Sequence, residues 1–506
     1  LNEITVEMRP FEVAFVAALF ISLASSIAAL IRTGPPSGFL SRLSFLAFVL
    51  GAIALLLHLT REGAHWQMLP AYLAVLPTSF LLFHALSRKP ATPWINSLLG
   101  ICLLLATCAC SYVVPMFRLP APTGPYKVGT TILHMVDESR LEDAAPAPPG
   151  AKRELMVQIW YPTDAATGNL APYRRRQETT LKSAYQSILP THSFLDAPVA
   201  RTGAPYPVLL FNPGWTGRRT SNTFLTEELA SHGYIVAAID HTYNSTPVAL
   251  PDGRVIQGLP NAKVGLYLDT NPEEVETILN KEADKQALDD RFVLDQLTQM
   301  NAQQGSQWYG ALDTANAGAL GHSLGGAVSV ETWATDPRIH AAINLDGWTL
   351  GVQAASGVRA ASAERPGQAA APPLLFLFEE GYYPEQHEVA TPPANGNIWA
   401  PHDVEAAVDN WDRAHVKLLI ARYGGYWINI KGTIHPTFTD GILTSPISRF
   451  SGVGPIDPHL ALNIIRDYSV QFFDQALKNK PSPLLAGDQQ NKYAEIQTSL
   501  NTSVKH

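Results

Sequence analysis

Four apolar runs open the chain: Phe11 to Ile31, Leu43 to Thr60, Trp66 to Leu86 and Trp94 to Phe117. Each is close to the ~20 residues a helix needs to cross a hydrocarbon core of ~30 Å. A charge at the centre of such a run would cost about 2.5–3.5 kcal/mol, and the charges Arg9, Arg32, Arg42, Arg61, Glu62, Arg88, Lys89 and Arg118 lie at the ends. Trp66 and Trp94 also fall at run ends, where an indole sits well at the membrane surface. Clustering, length and the lack of a polar face argue against four buried helices of a water-soluble core. The first run is followed by three more and ends in no Ala-x-Ala-like site, which argues against a cleaved leader. Residues 1–118 are therefore expected to form a membrane-embedded domain of four helices. The stiff segment Leu119-Pro120-Ala121-Pro122-Thr123-Gly124-Pro125 then leads into a second domain over 119–506.

That second part has the composition of a globular domain. The net charge of −8, with no basic run interleaved with aromatics, gives no support for a nucleic-acid partner. Cys102, Cys108 and Cys110 all lie in the apolar part, so the globular part has neither a disulfide nor a thiolate metal site. Strand-like segments are Val128 to Leu133, Glu154 to Tyr161, Pro207 to Phe211, Tyr234 to Ile239, Ala315 to Leu320, His340 to Leu345, Pro373 to Phe378 and Tyr426 to Lys431. Helix-like segments are Asn222 to Ser231, Lys281 to Met300, Gly325 to Ala334 and Leu460 to Leu477. This order predicts an α/β fold with about eight strands, mostly parallel, covered by helices. The connection Thr242 to Asn280 is long and is expected to cover the mouth of a site; Ala354 to Ala371 reads as a surface loop.

Within that alternation stands Gly321-His322-Ser323-Leu324-Gly325-Gly326, between a strand pattern and a helix pattern. Gly-x-Ser-x-Gly in that context reads as the sharp turn that lifts a serine nucleophile out of a sheet. A serine needs a histidine to take its proton and an acid to orient that histidine. Asp346 ends the next strand pattern, and His435 follows the last one in Gly432-Thr433-Ile434-His435-Pro436. Glu379 and Glu380, at the end of Leu374-Leu375-Phe376-Leu377-Phe378, compete for the acid's place. His322 is expected beside the serine rather than aimed at it, and His241, His387, His402 and His415 stay open as lesser candidates for the base. An oxyanion needs two backbone N–H donors. Leu324 should supply one, and Trp215 in Asn212-Pro213-Gly214-Trp215-Thr216-Gly217 the other.

The set Gly321 to Gly326, Leu345-Asp346-Gly347-Trp348 and Ile430 to His435 resembles the platelet-activating factor acetylhydrolase family (plasma/isoform II type) of α/β-hydrolases. Glu228 to Ala238 and Val157-Gln158-Ile159-Trp160-Tyr161-Pro162 share that likeness, which covers most of the chain after Pro120. The resemblance implies the α/β-hydrolase fold, Ser323 as nucleophile, Asp346 rather than Glu379 as acid, His435 as base, and no metal or cofactor. It implies a serine carboxylic-ester hydrolase working through an acyl-enzyme on short-acyl, phospholipid-type or other apolar esters. The four-span domain and the Asn-Pro-Gly-Trp loop depart from the animal members and bear on the substrate rather than the chemistry. The alternatives are an acyltransferase using the same triad and an inactive membrane sensor or scaffold.

Arg32, Arg42, Arg88 and Lys89 on the first and third connections outnumber Arg9, Arg61 and Arg118 on the other side. The positive-inside bias then puts those connections in the cytoplasm and the catalytic domain in the periplasm or outside, as in a multi-pass protein of a bacterial inner membrane. Protease added outside the inner membrane is expected to cleave the C-terminal domain; full protection contradicts this orientation.

Overall fold

A computed structural model describes residues 9–31, 38–87, 93–144, 146–165, 167–259, 270–349, 373–384, 390–391, 399–447, 453–486 and 492–502. Arg32, Arg88, Lys89, His387 and the Ala354 to Ala371 loop lie outside them, as does part of Thr242 to Asn280. The chain divides into two compact units, one of residues 1–118, 172–190 and 443–448, and one of the remainder.

The first unit is built on four helices, α1 (Pro10–Ile31), α2 (Gly38–Leu57), α3 (Leu69–Ser87) and α4 (Pro93–Val113). A single π-turn, His58–Glu62, ends α2. Phe15, Leu19, Leu23, Met68, Ala71 and Leu81 pack inside, and Gly51 lets α2 approach Ala18 of α1. The outward residues are as apolar as the inward ones: Phe39, Leu76 and Ile95 are each about 70 % exposed or more. Water penalises such a surface and lipid does not. All four helices, α2 and α3 together with the turns that adjoin them, are long and apolar enough to cross a membrane, so the unit is suited to membrane association.

In the second unit an eleven-stranded mixed sheet forms the spine. The strands are β1 (Lys127–Leu141), β2 (Lys152–Thr163), β3 (Leu170–Pro172), β4 (Pro190–Leu195), β5 (Tyr206–Asn212), β6 (Ile235–His241), then, after the small β7 (Val248–Ala249) and β8 (Val255–Ile256) hairpin, β9 (Leu312–His322), β10 (Ile339–Leu345), β11 (Leu374–Phe378), β12 (Gly425–Ile430) and β13 (Ile496–Thr502). Their order is β13-β12-β11-β10-β9-β5-β6-β2-β1-β4-β3. All eight expected strands are present, and β5, β6 and β9 to β12 run parallel. The short β3 and β4 and the antiparallel β13 extend the two edges.

Helices α5 (Thr223–Ser231) and α9 (Pro458–Lys478) cover one face, while α6 (Pro272–Ala302), α7 (Leu324–Thr335) and α8 (Pro401–Tyr423) cover the other. Helix α8 was not expected. Half of its residues are polar or charged, yet Val408, Val416, Leu419 and Ile420 are buried at helical spacing. Its last turns join a core with Val293 and Leu297 of α6 and Trp333 of α7, and Trp333 meets Tyr423 edge to face at 5.1 Å. From β5 the chain moves to β6 on one side; after the β7–β8 hairpin and α6 it returns to β9 on the other. The carboxyl ends of β5 and β9 therefore flank the crevice where such sheets bind ligands.

Candidate active site

Ser323 stands at that crevice, between β9 and α7, with φ 56° and ψ −126°. This conformation is costly for any residue but glycine, and its neighbours are packed so closely that only glycines fit. A Cβ on Gly325 would lie 2.0 Å from the Asn212 carbonyl oxygen, one on Gly321 2.2 Å from that of Gly325, and one on Gly347 2.0 Å from that of Ser323 itself. The Ser323 N–H donates to Leu345 O at 2.9 Å, tying the turn to the end of β10.

The structure brings Ser323, Asp346 and His435 into one hydrogen-bonded line. His435 Nε2 lies 2.9 Å from Ser323 Oγ, and Nδ1 lies 2.7 Å from Asp346 Oδ2. Asp346 follows β10, and its Oδ1 accepts the Glu379 backbone N–H at 2.9 Å. Desolvation of the His435 ring favours its neutral form, but the hydrogen bond and charge of Asp346, aided by Glu379, outweigh it and raise the pKa above the usual histidine value. Glu379 thus braces Asp346 with its main chain, while its own carboxyl is pushed up to about 7, first by burial and then by Asp346. Glu380 points elsewhere: its carboxylate accepts the Gly432 N–H at 2.7 Å in the turn before His435.

His322 does lie beside the serine, and it has a task the sequence reading did not assign. Its Nε2–H donates to the His435 carbonyl at 3.0 Å, and the two rings lie 4.7 Å apart. Burial first, then the neighbouring His435, holds its pKa down to about 3, so it acts as a neutral donor fixing the loop that carries His435. The loop Asn212 to Gly217 also comes close: a Cβ on Gly214 would sit 3.0 Å from Ser323 Cβ. Leu324 opens α7, and its N–H is among those a helix leaves without an internal partner. Trp215 and Leu324 both line a cavity of about 320 Å³ that also holds Ser323, Asp346 and His435. Its walls include Trp348, Phe378 and Tyr382.

Below the loop lies a buried polar network that no local motif announces. His241 Nε2 is 3.1 Å from Asn212 Oδ1 and its Nδ1 is 2.9 Å from Asp289 Oδ2. Arg153 Nε donates to Asp289 Oδ1 at 3.0 Å. The Asn212 amide also donates to Asp290 at 2.8 Å. Burial, with Asp289's charge adding to it, pushes Asp290 up to about 8. His241 therefore anchors the start of the loop and does not reach Ser323; His402 and His415 belong to α8.

If His435 acts as base, kcat/KM rises with pH as the imidazole loses its proton, with a midpoint above the ordinary histidine value of ~6.5. Asp346→Asn removes the group that raises it, so the midpoint should fall, and kcat should drop about 10⁴-fold. Glu379→Gln should move the midpoint down by less and keep kcat within about tenfold. Loss of activity in the glutamate variant alone would reassign the acid.

The family model "Platelet-activating factor acetylhydrolase, isoform II" matches residues 112–492. A protein of Arthroderma benhamiae named "Probable 1-alkyl-2-acetylglycerophosphocholine esterase" is 26 % identical over 78 % of this chain and 97 % of its own length. The platelet-activating factor acetylhydrolase of Cavia porcellus is 24 % identical over 76 % of this chain and 85 % of its own. Among solved structures, a ferulic acid esterase of Streptomyces cinnamoneus superimposes with a TM-score of 0.55 at 29 % identity, covering 75 % of this chain and 98 % of its own. The chain belongs to the platelet-activating factor acetylhydrolase isoform II family of α/β-hydrolases and is an ester hydrolase.

Proposed function

We propose that this ester hydrolase is a membrane-anchored serine enzyme in which Ser323 is the nucleophile, His435 the general base and Asp346 the orienting acid. The observation that carries the reading is the hydrogen-bonded line from Ser323 Oγ through His435 to Asp346, with Ser323 and His435 lining the cavity. Neutral His435 takes the Ser323 proton on Nε2 as Oγ bonds to the ester carbonyl carbon. Asp346 holds the Nδ1–H and stabilises the imidazolium. The carbonyl oxygen, now an anion, is held by the N–H groups of Trp215 and Leu324, each worth roughly 10²–10³ in kcat. His435 gives its proton to the departing alcohol, leaving an acyl-serine. Water then loses a proton to His435, attacks the acyl carbon, and the acid leaves as Ser323 regains its proton.

A cavity of about 320 Å³ with aromatic walls favours a short acyl group or a compact aryl ester. The names of the relatives, which include an alkyl-acetyl glycerophosphocholine esterase and a ferulic acid esterase, fall in the same range. We read residues 1–118 as a four-span membrane domain and 119–506 as the catalytic domain, on the non-cytoplasmic face of a bacterial inner membrane. The apolar exterior of the helices and the end-placed charges support this reading.

Purified enzyme should turn over p-nitrophenyl acetate and butyrate with higher kcat/KM than the octanoate or dodecanoate. Ser323→Ala should abolish turnover while keeping the wild-type circular dichroism spectrum. Undiminished activity in that variant would falsify the assignment, and a preference for long chains would overturn the substrate class.

A further inference from the structure

Away from the ester site, we propose that the helical unit holds one divalent transition-metal ion on Glu12, His58 and Glu62. Glu12 lies in the first turn of α1, and His58 and Glu62 lie in the π-turn that ends α2. One ligand atom from each of the three comes within 4.8 Å of the other two. His58 has no exposed surface, and the side chains of Glu62 and Glu12 are 10 % and 16 % exposed. The i, i+4 spacing puts His58 and Glu62 on one face, and His58 Nδ1 lies 2.9 Å from Glu62 Oε2.

The ligands are oriented as metal ligands usually are, by a second set of hydrogen bonds. The other ring nitrogen of His58, Nε2, is 2.7 Å from the Tyr72 hydroxyl. His65 Nε2 is 3.1 Å from Glu12 Oε2, and its Nδ1 is 3.1 Å from Gln67 Oε1. Glu62 Oε1 accepts the Phe11 N–H and Oε2 the Glu12 N–H, each at 2.9 Å.

Charge argues the same way. Two largely buried carboxylates side by side are costly in a low-dielectric setting unless a cation compensates them; their side-chain neighbours are His58 and His65. Arg9 is near, but its guanidinium donates to the carbonyls of Glu62 and Ile188 rather than to either carboxylate. One imidazole nitrogen and two carboxylates, with a fourth position for water, are a donor set that suits Zn²⁺. Tetrahedral coordination at ~2.0–2.2 Å needs ligand atoms ~3.3 Å apart, so the His58–Glu62 contact has only to open by a few tenths of an ångström. On binding, the proton shared by His58 Nδ1 and Glu62 leaves to solvent as the metal takes its place. The short His58–Glu62 spacing marks no site by itself, because Glu12 is far away along the chain and only the helix packing brings it to the pair.

The test uses the full chain in detergent, treated with chelator and titrated with Co²⁺ alone. Visible d–d absorption should saturate at one equivalent, be displaced by Zn²⁺, and coincide with a rise in Tm. His58→Gln and Glu62→Gln should abolish saturation, Tyr72→Phe should weaken affinity about 10–100-fold, and Ser323→Ala should bind as wild type. The wild-type spectrum decides even if a ligand variant fails to fold. No saturable binding by wild type, or undiminished binding by folded His58 and Glu62 variants, would overturn the site and leave the cluster as hydrogen-bonded histidine–carboxylate contacts.

Discussion

The geometry of the catalytic unit depends on how closely three stretches of backbone approach around Ser323. Gly325 faces the Asn212 carbonyl, Gly321 faces Gly325, and Gly347 faces the Ser323 carbonyl, each at a distance that leaves no room for a Cβ. This packing holds Ser323 at φ 56°, a conformation it would abandon in an isolated peptide. It also joins three strand ends: β5 through Asn212, β9 through Gly321, and β10 through Leu345 and Gly347. The Asn212 loop, Ser323 and Asp346 thus come from neighbouring strands at one edge of the sheet, held by main chain rather than by flexible side chains.

Electrostatics then act on a rigid frame. His435 sits between one acid that touches it and a second, Glu379, that does not. Burial and the charge of Asp346 hold Glu379 near neutrality's edge, at about 7, so the site avoids two full negative charges beside one imidazole. On the other side His322 stays neutral and anchors the His435 main chain. One histidine of the pair can therefore titrate while its neighbour serves as a fixed donor.

Much of this was legible before any coordinates. The eight strand patterns lie where the sheet has strands, because strands buried on both faces leave uninterrupted apolar runs such as Leu374 to Phe378. Ser323, Asp346 and His435 could be named from motif and order, and the structure places them within hydrogen-bonding distance. The competition between Asp346 and Glu379 could not be resolved from spacing alone, since both follow strands ending at the same edge; the family resemblance chose between them. What stayed hidden was of two kinds. Helix α8 hides its buried stripe among charges, and β3, β4 and β13 lie at or next to the edges of the sheet. The contacts of His322 and His241, and the approach of Glu12 to His58 and Glu62, join residues far apart in the chain, which no local pattern encodes.

The most direct test of the account is covalent. The purified chain is treated with a fluorophosphonate probe and digested, and the modified peptide is sequenced by mass spectrometry. The account predicts stoichiometric labelling on Ser323, slowed at low pH as His435 gains its proton. Labelling on another residue, or none while ester turnover persists, would contradict it.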